Sequence, residues 1–194
     1  MERYASMHRK TNETEVTLEL CLDGGERAIS TGVGFFDHML SAFAVHGNFG
    51  LKVKTVGDWE VDCHHTIEDT GIVLGKAFAE ALPTKQGIRR FGHAYIPMDE
   101  ALAFAAADIS GRPFLVFSGE FPQERVGDYD TCMTEEFFRA FAANAGITLH
   151  LRCEYGKNSH HMIEALFKAA AHALRDALSQ EEDPNLLLSS KGVL

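Results

Sequence analysis

The sequence predicts an α+β fold made by internal duplication, with helices packed on one face of each sheet. Three observations carry that expectation. The apolar residues switch from the alternation of strands to the three-to-four spacing of helices, and the switch recurs in the same order in both halves. The pattern His-His-x-x-Glu occurs twice, at His64-His65-x-x-Glu68 and at His160-His161-x-x-Glu164. HMLSAFA at 38–44 lines up with EFFRAFA at 136–142, sharing Ala-Phe-Ala at one offset. Burying amphipathic helices against sheets gives the layered packing such a unit needs.

The elements follow in order. EVTLELCLDGGERAIS alternates on both sides of Asp23-Gly24-Gly25, which predicts a β-hairpin. FFDHMLSAFAVHG has helical spacing and stops at Gly47. FGLKVKTVGDWEVD reads as strand, turn near Gly57-Asp58, and strand. From Thr66 to about Leu82 the pattern is helical and is closed by Pro83. In the second half, ALAFAAADISGRPFLVFSG predicts a hairpin about Ser110-Gly111-Arg112. TEEFFRAFAANAG predicts a helix ending at Gly146, ITLHLRCEYGKN is extended, and HHMIEALFKAAAHALRDAL is a long helix. Each unit therefore reads as strand-strand-helix-strand-strand-helix. The tail SQEEDPNLLLSSKGVL has no clear period.

With 194 residues, 45% of them hydrophobic, the chain suits a single domain of two pseudo-symmetric halves, approximately 1–92 and 93–194. The formal charge of −10 repels phosphate backbones, so nucleic-acid binding is not expected. The start, MERYASMHRKTNETEV, lacks the apolar core of a signal peptide, and no apolar run reaches membrane-spanning length. A cytoplasmic protein without a membrane partner is expected. Cys21, Cys63, Cys132 and Cys153 show no C-x-x-C spacing and read as reduced, mostly packed thiols.

The duplicated motif carries the chemistry. On a helix, His64 or His65 can share a face with Glu68, and His160 or His161 with Glu164. Adjacent histidines diverge by roughly 100° around a helix of about 3.6 residues per turn. One motif therefore serves two ions more easily than one. Adding the aligned helix positions His38 and Glu136 makes eight candidate ligands, enough for a pair of octahedral ions. An imidazole and carboxylate shell without thiolate suits Mn²⁺, Fe²⁺ or Zn²⁺, and the carboxylates favour Mn²⁺. A lone histidine is usually a surface or satisfied core residue; two copies in register shift the balance to metal. Arg89-Arg90, Arg112, Lys168 and the Ser-Ser-Lys-Gly of the tail each read as surface charge alone, but would clamp a monophosphate if they converged.

The chain also resembles the imidazoleglycerol-phosphate dehydratase family, the lyases of histidine biosynthesis. The resemblance runs through NETEV, GVGFFDHML, HHTIEDTGIVLG, GIRRFG, MDEAL, DISGRP, RVGDYDT, EEFFRAFA, GITLHL, NSHHMIEALFKAAAHALR and SSKGVL, in that order and nearly end to end. It implies helices between two mostly four-stranded sheets, similar to domain 2 of ribosomal protein S5. It implies two Mn²⁺ per active site, held by His38, His64, His65, Glu68, Glu136, His160, His161 and Glu164. It further implies substrate contacts from Glu13, His46, Arg90, Arg112, Lys168, Ser190 and Lys191. The assembly implied is a 24-mer built from trimers, with active sites at subunit interfaces. Many family members carry His where this chain has Glu136, a departure that a carboxylate ligand could absorb. No fused phosphatase domain is suggested, so a monofunctional form is expected.

The reaction so implied removes water from D-erythro-imidazole glycerol phosphate, giving imidazole acetol phosphate. The expected course runs through a metal-bound imidazolate and a diazafulvene-like intermediate, with Glu13 as proton shuttle and His64, Glu68 and Glu164 among the catalytic groups. Two other readings stand beside it: a di-metal phosphoester hydrolase, and a non-enzymatic metal-stabilised cage.

Overall fold

The computed structural model describes residues 3–192. Its first unit comprises β1 (Tyr4–Lys10), β2 (Thr14–Cys21), β3 (Arg27–Ser30), α1 (Gly34–Gly47), β4 (Gly50–Gly57) and α2 (His64–Ala81). The second sheet opens with β5 (Phe91–Met98), followed by β6 (Ala101–Asp108) and β7 (Phe114–Ser118). A small ribbon, β8 (Arg125–Val126) with β9 (Tyr129–Asp130), precedes α3 (Met133–Ala145), β10 (Thr148–Tyr155) and α4 (Ser159–Ala177). The two four-stranded sheets have orders β1-β2-β4-β3 and β5-β6-β10-β7, so one topology is built twice.

The helices lie between the sheets. Helix α2 packs on β1, β2 and β4, α4 packs on β5, β6 and β10, and the layers meet where α2 crosses α3 and α1 crosses α4. Inward positions of the strands, such as Val16, Leu18 and Leu20 on β2 and Ala103, Ala105 and Ala107 on β6, are buried at alternate residues. Phenylalanines fill the space between: Phe43, Phe78 and Phe141 meet edge-to-face or tilted, and Phe137 stacks on Phe167. Gly71 and Gly75 let α2 approach α3, since a β-carbon at 75 would stand 2.5 Å from the Phe141 carbonyl oxygen.

Both hairpin expectations are corrected. Strands β2 and β3 do not pair; β4 lies between them, antiparallel to β2 and parallel to β3. In the second unit β10 separates β6 from β7 in the same way. A parallel pair needs a crossover, and α1 and α3 supply it. Gly24 and Gly25, with φ of +100° and +137°, carry the chain across the start of β4, where a β-carbon on Gly50 would meet the Gly24 carbonyl oxygen at 2.7 Å. The expected strand after Gly57 is also absent: residues 58–63 form a turn held by the Val61 N–H donating to the Asp58 carbonyl. The fourth strand of each sheet is β1 or β5, in stretches whose sequence pattern predicts no element. The unit is therefore strand-strand-strand-helix-strand-helix.

The helix ends match expectation more closely. Asn48 (φ 56°) and Gly146 (φ 65°) terminate α1 and α3 in the left-handed region. All four cysteines are free thiols. No helix among the described residues is long and apolar enough to cross a membrane.

Candidate metal centre

Each His-His pair occupies the first turn of its helix, and a side chain two residues ahead puts it there. The Asp62 carboxylate accepts from the His64 N–H at 2.7 Å, and the Asn158 side chain accepts from the His160 N–H at 2.9 Å. Within each pair the first ring turns along its own helix. His160 Nε2 lies 3.3 Å from Glu164 Oε2, and His64 Nε2 lies 3.6 Å from Glu68 Oε2.

The crossing of α1 and α4 completes the first cluster. His38 Nε2 is also 3.3 Å from Glu164 Oε2, and the donor atoms of His38, His160 and Glu164 all lie within 4.8 Å of one another. The Glu164 side chain is 8% exposed, whereas His38 is 51% exposed, so the group is a cup with its acid at the bottom. The Phe35 and His160 rings meet edge-to-face with centroids 4.9 Å apart. Lys168 Nζ holds the other Glu164 oxygen at 2.6 Å. Burial opposes the Glu164 charge, but the Lys168 hydrogen bond and charge, aided by His38, outweigh it and keep the carboxyl below its ordinary range. Two imidazole nitrogens and a carboxylate oxygen, open on one side, suit a divalent cation such as Mn²⁺, Fe²⁺ or Zn²⁺.

The counterpart in the first half is less complete. Glu136 sits in the first turn of α3, where its oxygen is 3.7 Å from Arg139 Nε. Among the described residues, His38, His160 and Glu164 are the one group of three within metal-binding reach, so Glu136 does not join His64 and Glu68.

The second ring of each pair looks elsewhere. His65 Nδ1 meets Asp58 at 3.0 Å, and its Nε2 lies 3.8 Å from Glu13 at the β1–β2 turn. His161 Nδ1 meets Glu100 at 2.7 Å, and its Nε2 lies 3.6 Å from Asp99 at the β5–β6 turn. The Asp58 hydrogen bond raises the His65 pKa, and the Glu100 hydrogen bond raises that of His161. His161, followed by the Lys157 and Asn158 backbone N–H groups, pulls the Glu100 carboxyl down to about 2. Sequence pattern alone does not point to Asp58, Asp99 or Glu100; the adjacency Asp99-Glu100 in MDEAL is visible there, but its proximity to α4 is not.

The cationic residues form two sets. Arg90, at φ 71° and nearly buried, binds Asp108 through Nε at 2.7 Å, donates to the Leu188 carbonyl, and shares Asp108 with Arg112 at 3.3 Å. Two guanidiniums on one carboxylate leave a net positive charge beside the tail, where Ser190 and Lys191 are exposed. Lys168 belongs instead to the Glu164 cluster, with His46 nearby: His46 Nδ1 is 3.3 Å from His172 Nε2. Burial, then the charges of Lys168 and His172, push the His46 pKa down. Among the described residues, no hydrogen bond or ion pair joins Arg90 or Arg112 to Lys168.

Comparison with known proteins gives one family. A family model described as imidazoleglycerol-phosphate dehydratase matches residues 31–174. The imidazoleglycerol-phosphate dehydratase of Bacillus cytotoxicus is 57% identical over 195 residues, and that of Acetivibrio thermocellus 54%, with all of each chain covered. The crystal structure of the Staphylococcus aureus enzyme superposes with a TM-score of 0.84 at 41% identity, covering 91% of this chain and 99% of that one. The Pyrococcus furiosus IGPD, solved in complex with (S)-C348, gives 0.84 at 35% identity, covering 97% and 100%.

Proposed function

The chain belongs to the imidazoleglycerol-phosphate dehydratase family of hydro-lyases, and we propose that it dehydrates D-erythro-imidazole glycerol phosphate to imidazole acetol phosphate in L-histidine biosynthesis, with two Mn²⁺ per active site. The observation that carries the metal dependence is the His38–His160–Glu164 group, whose donors converge on one point. His64, Glu68 and Glu136, with His65 and His161, are the remaining ligands of this reading. Bound Mn²⁺ would supply Lewis-acid charge to the substrate's imidazole ring.

The chain's own groups do the rest. The proton to be removed sits on a carbon with no carbonyl beside it, so the base must be held close to it. Glu13 suits that role, as an exposed carboxylate on a tight turn, 3.8 Å from His65 Nε2. It takes the proton from the carbon and delivers it to the departing hydroxide, which leaves as water, and the resulting enol tautomerises to the ketone. The surplus charge of Arg90 and Arg112, with Ser190 and Lys191, binds the phosphate. Lys168, bonded to the second Glu164 oxygen, and His46 are the remaining substrate contacts of this reading.

The separation of these sets within one chain supports active sites shared between copies, in a homo-oligomeric 24-mer built from trimers. Repetition of one sheet topology supports two halves of one duplicated domain. A cytoplasmic location accords with a biosynthetic small-molecule role.

The test is to incubate Mn²⁺-reconstituted protein with imidazole glycerol phosphate and follow both products. Ketone formation with phosphate retained is expected. Release of inorganic phosphate would mean a di-metal hydrolase, and assembly without turnover a structural cage.

A further inference from the structure

We propose that Asp58 and Glu100 are paired positioning residues, each fixing the proton of one histidine on Nδ1 so that Nε2 is presented as a bare donor. The inference rests on the metal reading above. An ionised carboxylate only accepts hydrogen bonds, so the ring nitrogen facing it carries the proton. His65 Nδ1 faces both Asp58 oxygens, at 3.0 and 3.1 Å, and His161 Nδ1 faces Glu100 Oε2 at 2.7 Å. In both rings Nε2 is left on the far side, beyond hydrogen-bond range of Glu13 at 3.8 Å and of Asp99 at 3.6 Å.

The two carboxylates do not occupy equivalent positions in the duplicated fold. Asp58 comes from the six-residue connection between β4 and α2, whereas only residues 156–158 join β10 to α4. Glu100 comes instead from the β5–β6 turn. One arrangement is thus reached from two places, so the duplication by itself did not copy it. A ring tie that merely fastened loops would need no common choice of nitrogen. Carboxylates hydrogen-bonded to the non-ligating nitrogen of a histidine are the usual device for orienting a metal ligand.

Glu100 makes the idea decisive. Its Oε1 accepts from the backbone N–H groups of Lys157 at 3.1 Å and Asn158 at 2.8 Å. In Glu100→Gln those two donors retain the carbonyl oxygen, so the amide NH₂ must face His161 Nδ1. That ring then accepts at Nδ1 and carries its proton on Nε2, where it blocks a cation.

The experiment is calorimetric titration of the chelated, full-length assembly with MnCl₂, with thermal denaturation of the metal-free protein alongside. Asp58→Ala and Glu100→Ala are expected to weaken Mn²⁺ binding by about 10- to 100-fold. Glu100→Gln should bind more weakly than Glu100→Ala, although it keeps both backbone hydrogen bonds and melts nearer to wild type. Glu60→Gln, which removes an exposed charge from the same connection as Asp58, should stay within about twofold of wild type. A purely structural tie gives the reverse order, with Gln milder than Ala, and that order would overturn the proposal. Equal weakening by Glu60→Gln would also overturn it, by assigning the effect to loop charge. A wild type that binds no Mn²⁺ would remove the metal reading itself, whereas wild-type binding with unaffected Ala variants removes this inference alone.

Discussion

Glu164 does different work with its two oxygens. Oε2 faces the imidazoles of His38 and His160, while Oε1 takes the Lys168 ammonium at 2.6 Å. The acid is thereby charged and aimed before any cation arrives. Glu13 has no such anchoring: its side chain is 54% exposed, which fits its proposed role as proton shuttle. Glu13→Gln should leave Mn²⁺ content unchanged and lower kcat by about 10²- to 10⁴-fold; near-normal turnover would remove it from the chemistry. The half-buried pair His46 and His172 makes a pH prediction. Burial lowers both pKa values below 6.5, so the unfolded chain binds protons that the folded one refuses. The metal-free protein should lose stability as pH falls from 6.5 through the lower folded values, and His172→Gln should flatten that part of the melting-temperature profile. An unchanged profile would show that the pair does not titrate there. At this scale the motif spelled out much in advance, because His160 and Glu164 are four apart on one helix and His38 aligns with the repeat. Asp58 and Glu100 were not legible, since each reaches its histidine from a connection whose path follows from sheet pairing.

The helices were readable and the strand partners were not. Helical period, Gly47, Pro83 and Gly146 marked α1, α2 and α3 because those signals are local. Alternation also marked β2 and β3, yet Gly24-Gly25 looked like a hairpin turn. Alternation says which face is buried and nothing about which strand lies alongside. Strands β1 and β5 escaped because their inward residues include Arg9, Gly92 and Ala94, a weak apolar signal. The α2–α3 crossing gives a prediction in which two effects compete. Gly75→Ala gains about 1 kcal/mol of helix propensity. Its β-carbon would, however, meet the Phe141 carbonyl oxygen at 2.5 Å and the Ala145 nitrogen at 2.9 Å, both backbone atoms that cannot swing aside. The clash should win, with a net loss of about 1–3 kcal/mol in equilibrium denaturation. Stability equal to or above wild type would mean the helices can part freely.

Over the whole molecule, duplication produces two related histidine–carboxylate groups rather than one. His38, His160 and Glu164 lie at one crossing, and His64 with Glu68 at the start of α2. His65 and His161 face the loops, and Arg90 and Arg112 gather at Asp108 apart from Lys168. In the proposed reading, a second copy of the chain brings these parts together. Against a formal charge of −10 a phosphate would depend on local cations, and the proposed clamp draws on Arg90 and Arg112. The most direct measurement is stepwise Mn²⁺ titration of chelated wild-type protein, with ketone formation followed on the same samples. Two ions bound per chain, and turnover that rises only as they bind, is the expected result. Full turnover in the chelated protein, or no manganese bound at all, would contradict the account.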